Sequence, residues 1–193
     1  MERFAEKIAT WLIMQEAINK EDKALYQYAV FTLISKILPF LVVIPFCIVT
    51  KTVVNGMILV VVFMNVRKYA GGYHAKTPMR CFIFSSIILS IFIWLSKKIR
   101  SYYGLWILLL FSVITLNKYS PIESGNKKLE IKEKKKYKKY VQRFIFISIL
   151  IIIVFTLHGM DEYAVSAALG LILSAILQIG TVVNLKKITK KRT

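Results

Sequence analysis

The sequence predicts an all-α membrane protein, a polytopic helical bundle of about six transmembrane segments with an N-terminal amphipathic helix. Hydrophobic residues make up 56% of the 193 residues, and the mean hydropathy is +0.58. Soluble domains are about 45–50% apolar. The 28 Lys and Arg residues, which give a net charge of +18, are segregated from the apolar runs, as in a membrane protein. Two cysteines exclude a disulfide-rich secreted scaffold, and the apolar content excludes a disordered chain.

Residues 1–23 are predicted to form an amphipathic segment rather than a cleavable signal peptide, because acidic residues interrupt any apolar signal core. Phe4, Ile8 and Trp11 recur at near-helical spacing, and charged residues occupy most of the opposite face. Two placements remain open for this helix. It could lie on the bilayer surface, or it could pack on its own protein.

Six apolar segments follow, and several are shorter than the about 17 residues of a straight span, so a re-entrant segment is an alternative. The first contains Pro39 and Pro45, which predict a kink. The last is rich in small residues that suit close helix packing. The segments are Leu25 to Val49, Thr52 to Val66, Cys81 to Ser96, Tyr102 to Leu116, Phe144 to His158 and Tyr163 to Leu185.

Most basic residues fall on one side when six spans alternate across the bilayer with both termini inside. The positive-inside rule then predicts a multi-pass protein of the cell membrane with both termini cytoplasmic. Residues 1–193 are treated as a single integral membrane domain. The cluster Lys97, Lys98 and Arg100 is the exception, and snorkelling of these side chains is one explanation.

Residues 118–143 are predicted to form a basic cytoplasmic loop. The stretch holds ten Lys and Arg residues, including the run KEKKKYKKY. It could lie on anionic lipid headgroups, dock an acidic peptide, or do both. Because the basic residues flank apolar spans, we expect a lipid bilayer with anionic headgroups as a partner and no nucleic acid.

Residues 67–80 are the candidate catalytic loop, because a histidine lies within it and a cysteine follows directly. A cysteine nucleophile needs a thiolate, which a basic setting and a proton acceptor favour. His74 can accept the proton of Cys81, and the adjacent Gly71-Gly72 pair allows positive φ and a backbone oxyanion site. One histidine and one cysteine are too few to ligate a metal, so neither metal nor cofactor is predicted.

The local sequence also predicts a helix start just before the cysteine. Thr77-Pro78 is a typical N-cap followed by proline at the first helical position, so Cys81 becomes the fourth helical residue. The positive end of the helix dipole favours a thiolate there. In one continuous helix His74 and Cys81 would lie about 10 Å apart by rise. Pro78 breaks such a helix, and the glycine-containing loop can fold back.

The pattern of Arg67, Gly71-Gly72, His74 and Cys81 resembles the AgrB family, the accessory gene regulator B membrane endopeptidases of Gram-positive quorum sensing. Size, span layout, amphipathic start and basic loop are also similar, so the resemblance covers nearly the whole chain. Pro121 and Asn126-Lys127 resemble a second family stretch, in which a proline often follows the lysine. Lys128 stands at that position here.

The resemblance implies a cysteine endopeptidase that cleaves an AgrD-type precursor peptide. Cys81 would be the nucleophile and His74 the general base, and a thioester acyl-enzyme would pass to an internal Cys or Ser of the peptide to give a thiolactone or lactone. The candidates for substrate binding or transition-state support are Arg67, Gly71, Gly72, Lys127 and Lys128. The family also implies a homodimer.

Two other classes of protein remain open. A non-catalytic small membrane transporter or adaptor would depend on Lys36 and the kinked first span, and Cys81 would be dispensable. A peripheral nucleic-acid or lipid binder would use the basic loop, and its binding would weaken steeply with salt.

Overall fold

The computed structural model describes residues 2–71, 78–99, 103–122 and 130–190, and within these ranges the chain is helical and contains no strand. This confirms the all-α prediction. A short 3₁₀ turn, Lys20–Asp22, precedes the second helix. The helices are α1 Glu2–Met14, α2 Lys23–Ile37, α3 Phe40–Val49, α4 Val53–Ala70, α5 Pro78–Lys98, α6 Tyr103–Tyr119, α7 Ile131–Leu157 and α8 Asp161–Lys190.

Four helices in the described ranges are long and apolar enough to cross a membrane, fewer than the six spans predicted. They are α4, the Cys81–Lys98 part of α5, α7 and the Asp161–Val183 part of α8. The predicted first span is divided into α2 and α3, because Pro39 has no N–H to continue the helical hydrogen bonding. At 17 residues α6 is about 26 Å long, shorter than a hydrocarbon core of about 30 Å.

The described residues fall into two compact units, and the first comprises those up to position 45 together with 78–88. In it α1 packs on α2 and buries Ala5 and Ala9 completely. Phe4 and Trp11 remain more than half exposed on α1. The helix therefore packs on its own protein and also presents an apolar face, so the structure combines features of both placements left open by the sequence.

The second unit is built around α8, against which α4, α6 and α7 pack. Residues 164–175 of α8 are buried without interruption. A Cβ at Gly170 would lie 2.8 Å from the Leu59 carbonyl oxygen, so only glycine allows α4 and α8 to come this close. The close packing predicted from the small residues of this segment is confirmed; they are Ser166, Ala167, Ala168, Gly170, Ser174 and Ala175.

Within the basic stretch 118–143, residues 118–119 and 131–143 are helical and residues 123–129 lie outside the described ranges. α6 continues to Tyr119, and α7 begins at Ile131 and continues without a break into the apolar segment that ends at Leu157. Glu130 and Glu133 form a capping box that starts α7. Lys, Glu and Gln are good helix formers, so the change from polar to apolar residues near Phe144 does not end the helix.

Candidate functional site

Cys81 lies in the first turn of α5. The helix begins at Pro78, which needs no N–H at this position, so Cys81 is the fourth helical residue, as the sequence predicts. It is a free thiol with intermediate exposure. The N–H groups of a first helical turn have no carbonyl partner within the helix, and their dipoles point toward negative charge. The position therefore suits a thiolate that must also be reached by a substrate.

Cys47, the second cysteine of the sequence, lies in a different setting. Its side chain is 6% exposed in α3, and a Cβ at Gly56 would lie 2.7 Å from its sulfur. A cysteine packed in this way behaves as a small hydrophobic residue. It provides an internal control for experiments on Cys81.

Arg67 and Gly71 lie at the C-terminal end of α4. The Arg67 guanidinium lies over the Phe63 ring, 5.6 Å from its centroid. Gly71 has φ +74°, a conformation that glycine allows, and a Cβ at this position would lie 2.5 Å from the Ile122 carbonyl oxygen. The Gly71 N–H donates to the Arg67 carbonyl at 3.2 Å. This N–H is therefore engaged at the helix end, and the second glycine of the predicted oxyanion site, Gly72, lies outside the described residues.

A buried amide side chain ties the end of α4 to the segment that follows α6. Gln178 of α8 donates from Nε2 to the Ser120 hydroxyl at 2.8 Å and to the Ala70 carbonyl at 3.5 Å. The Ile122 N–H donates to the same Ala70 carbonyl at 2.9 Å. Sequence reasoning missed this contact, although an amide within the apolar part of a helix is the signal that could have found it.

An aromatic cluster holds the basic part of α7 against the same end of α4. The Tyr69 ring lies 5.8 Å from that of Tyr137, 4.8 Å from that of Tyr140 and 5.7 Å from that of Phe144. These three residues share one face of α7, since they are spaced by three and four positions. The basic part of α7 is therefore packed against the last turn of α4. The aromatic positions within the run KKKYKKYVQRF are the sequence signal for this contact.

Four of the predicted site residues lie outside the described residues: Gly72 and His74 in segment 72–77, and Lys127 and Lys128 in segment 123–129. Of the others, Arg67 and Gly71 belong to the second unit and Cys81 to the first. The pairing of His74 with Cys81 thus remains a prediction from the sequence.

These features define a helical membrane protein with a free thiol at a helix start and a basic helix anchored beside a glycine turn. Residues 5–181 match the family model of accessory gene regulator B, so the chain belongs to the AgrB family. Over 173 residues it is 22% identical to the "Putative AgrB-like protein 2" of Clostridium perfringens (strain 13 / Type A), covering 82% of this chain and 80% of that protein. No solved structure matches.

Membership of the family associates the chain with the accessory gene regulator system and with a quorum-sensing-related role at the membrane. The family is generally associated with peptide processing and implies a precursor of the AgrD type as a partner.

Proposed function

We propose that this protein is a membrane-embedded cysteine endopeptidase that removes the C-terminal tail of an AgrD-type precursor and promotes cyclisation of the remaining peptide. The observation that carries the proposal is the free, partly exposed thiol of Cys81 in the first turn of α5. Membership of the AgrB family supports it independently.

The chemistry proceeds in two acyl transfers. His74 takes the proton of Cys81, whose sulfur attacks the carbonyl carbon at the cleavage site. A thioester forms, the peptide C–N bond breaks, and His74 returns the proton to the leaving amine. An internal thiol or hydroxyl of the peptide then attacks the thioester, which releases the ring product and restores the Cys81 thiol. Exclusion of water preserves the acyl group for this second transfer.

Trapping of the acyl-enzyme tests the proposal directly. A precursor whose internal Cys and Ser residues are replaced by alanine cannot cyclise, so its leader fragment should accumulate on the protein. Mass spectrometry is expected to find the fragment on the peptide containing Cys81, in a form that hydroxylamine removes. The matched site is Cys47, which is 6% exposed and should carry none. An adduct on Cys47, or complete tail release with no intermediate on Cys81, would contradict the mechanism.

The basic helix α7 is the proposed docking site for the acidic tail of the precursor. Lys135, Lys138 and Lys139 are exposed and lie on the face opposite the aromatic cluster, so they are free to meet a ligand. The aromatic contacts on the other face of α7 hold the helix against the end of α4 that leads into the candidate loop. By the positive-inside rule we also infer that this end and both termini are cytoplasmic, and the resemblance to the family implies a homodimer.

Removing two of these charges is expected to raise KM for the precursor by about 2–30-fold at low salt, since each exposed pair contributes about 0.2–1 kcal/mol. The double variant Lys138→Gln, Lys139→Gln is compared with Lys97→Gln, Lys98→Gln, an adjacent exposed pair in the last turn of α5. Tail-release rates in liposomes of neutral lipid and of anionic lipid are the measurement. Equal KM values for the two double variants would show that the α7 lysines serve the lipid surface instead.

A further inference from the structure

Gln178 differs from the other buried polar residues of α8. Ser166 and Ser174 are also buried, but the hydroxyl of each donates to a carbonyl of its own helix, Glu162 at 2.7 Å and Gly170 at 2.9 Å. Ser166 Oγ also accepts from Asn55 Nδ2 of α4 at 3.1 Å, so Ser174 is the residue whose hydrogen bond stays within α8. Gln178 is 0% exposed and forms its hydrogen bonds with other segments. Burying an amide in an apolar helix bundle is unfavourable unless its partners are in place. The arrangement of those partners therefore determines what the residue does.

The partners of Gln178 belong to two segments that are far apart in the sequence. Its Nε2 donates to Ser120 Oγ at 2.8 Å, within the segment after α6, and to the carbonyl of Ala70, the last residue of α4, at 3.5 Å. The Ile122 N–H completes the junction by donating to that same carbonyl at 2.9 Å. One side chain thus joins α8, the end of α4 and the 120–122 segment.

This junction fixes the residue from which the candidate loop continues. Gly71 follows Ala70 directly, has φ +74° and leaves no room for a Cβ against Ile122. The second polar atom of the amide, Oε1, is buried and has no hydrogen-bond partner among the residues that the structure describes. Packing alone does not require an amide here, because a methionine of similar volume would fill the space without a polar atom to satisfy.

We propose that Gln178 is a positioning residue for the peptidase reaction: it sets the direction in which the chain leaves α4 at Gly71, three positions before His74. The inference rests on the proposed function, because it assumes that His74 acts on Cys81. Gln178 contacts none of the proposed reacting groups, so it acts through Ala70 and Ser120 rather than as a catalytic residue. Its removal should therefore slow the chemical step and leave precursor binding nearly unchanged.

The test compares Gln178→Met with Ser174→Ala, a buried polar residue one turn earlier in α8 whose hydrogen bond stays within the helix. Tail release from an AgrD-type precursor with a C-terminal epitope tag is measured in proteoliposomes and normalised to folded protein. We expect Gln178→Met to lower kcat at least tenfold with KM within twofold, and Ser174→Ala to leave both near wild type. The rate of Cys81 alkylation by iodoacetamide should fall in parallel, because it follows the thiolate form of Cys81 in the absence of precursor.

Ser120→Ala provides the second variant, since it removes the closer acceptor with a smaller change in volume. We expect it to lower kcat in the same direction, and the double variant Gln178→Met, Ser120→Ala to be no slower than the slower single variant. If Gln178→Met does not fold, the test rests on Ser120→Ala, and an unchanged kcat of Ser120→Ala overturns the inference. If Gln178→Met folds and its kcat per folded protein is unchanged, the inference is also overturned, and Gln178 has a structural role only.

Wild-type and Cys81→Ala proteins separate this inference from the proposed function. If the wild type releases no tail, or if Cys81→Ala still does, the proposed function fails and the inference fails with it. If the wild type releases the tail, Cys81→Ala does not, and Gln178→Met has the wild-type kcat, the inference alone fails.

Discussion

Replacing Cys81 by alanine is expected to lower the rate of precursor tail release by more than about 10³-fold, because no other group can form the acyl-enzyme. Cys47→Ala is the matched substitution, since it removes the second thiol of the sequence from a buried site in α3. It should leave the rate per folded protein near wild type. Both proteins are followed by release of a C-terminal tag in membranes that contain equal amounts of each.

His74→Ala is expected to have a similar effect, and the double variant His74→Ala, Cys81→Ala should be no slower than either single variant. When two catalytic residues act together, removing either one abolishes most of their joint contribution, so removing the second has little further effect. Tail release by Cys81→Ala at a rate near wild type would reject Cys81 as the nucleophile. If the wild type itself released no tail, a transporter or adaptor would explain the fold better, and Lys36 would become the residue to replace.

Local features of this protein were predictable from its sequence. The start of α5 follows from Pro78, whose ring fixes φ at a value suited to a first helical residue. The buried face of α8 follows from its small residues, which only a close helix contact would use. The glycine pair allows the positive φ that Gly71 adopts, although it does not require it. Each inference needs only neighbours in the sequence.

Features that depend on distant residues were not predictable in the same way. Tyr69 and Tyr140 are in contact although 70 other residues separate them in the chain, and nothing near either residue specifies the other. Gln178 is one polar residue in an apolar helix, and only the fold shows that it reaches Ser120 and Ala70. The length of α7 was missed because hydropathy changes near Phe144 whereas helix propensity does not.

The junction at the end of α4 gives the second large effect, which is expected from Gly71→Ala. An alanine at φ +74° and ψ −172° would adopt a backbone conformation found almost only in glycine, at a cost of about 1–3 kcal/mol. Its Cβ would also lie 2.5 Å from the Ile122 carbonyl oxygen, a backbone atom that cannot move without breaking the Ile122 N–H to Ala70 hydrogen bond. The α4 end and the 120–122 segment must separate. A displacement of about 1 Å in a positioned group can lower a rate about 10²-fold.

Gly159→Ala separates the strain from the clash, because Gly159 has φ +70° at the turn between α7 and α8 but no heavy atom within 4 Å of its Cβ position. This variant should carry only the energetic cost of the positive φ. We expect its rate of tail release to stay within about threefold of wild type, which corresponds to a change of under about 1 kcal/mol in activation free energy. Gly71→Ala should lower kcat by about 10–100-fold at equal amounts of folded protein. Equal rates for the two variants would show that the Ala70–Ile122 junction does not control the reaction. A slow Gly71→Ala protein beside an active Gly159→Ala protein would assign the loss to this junction rather than to backbone strain in general.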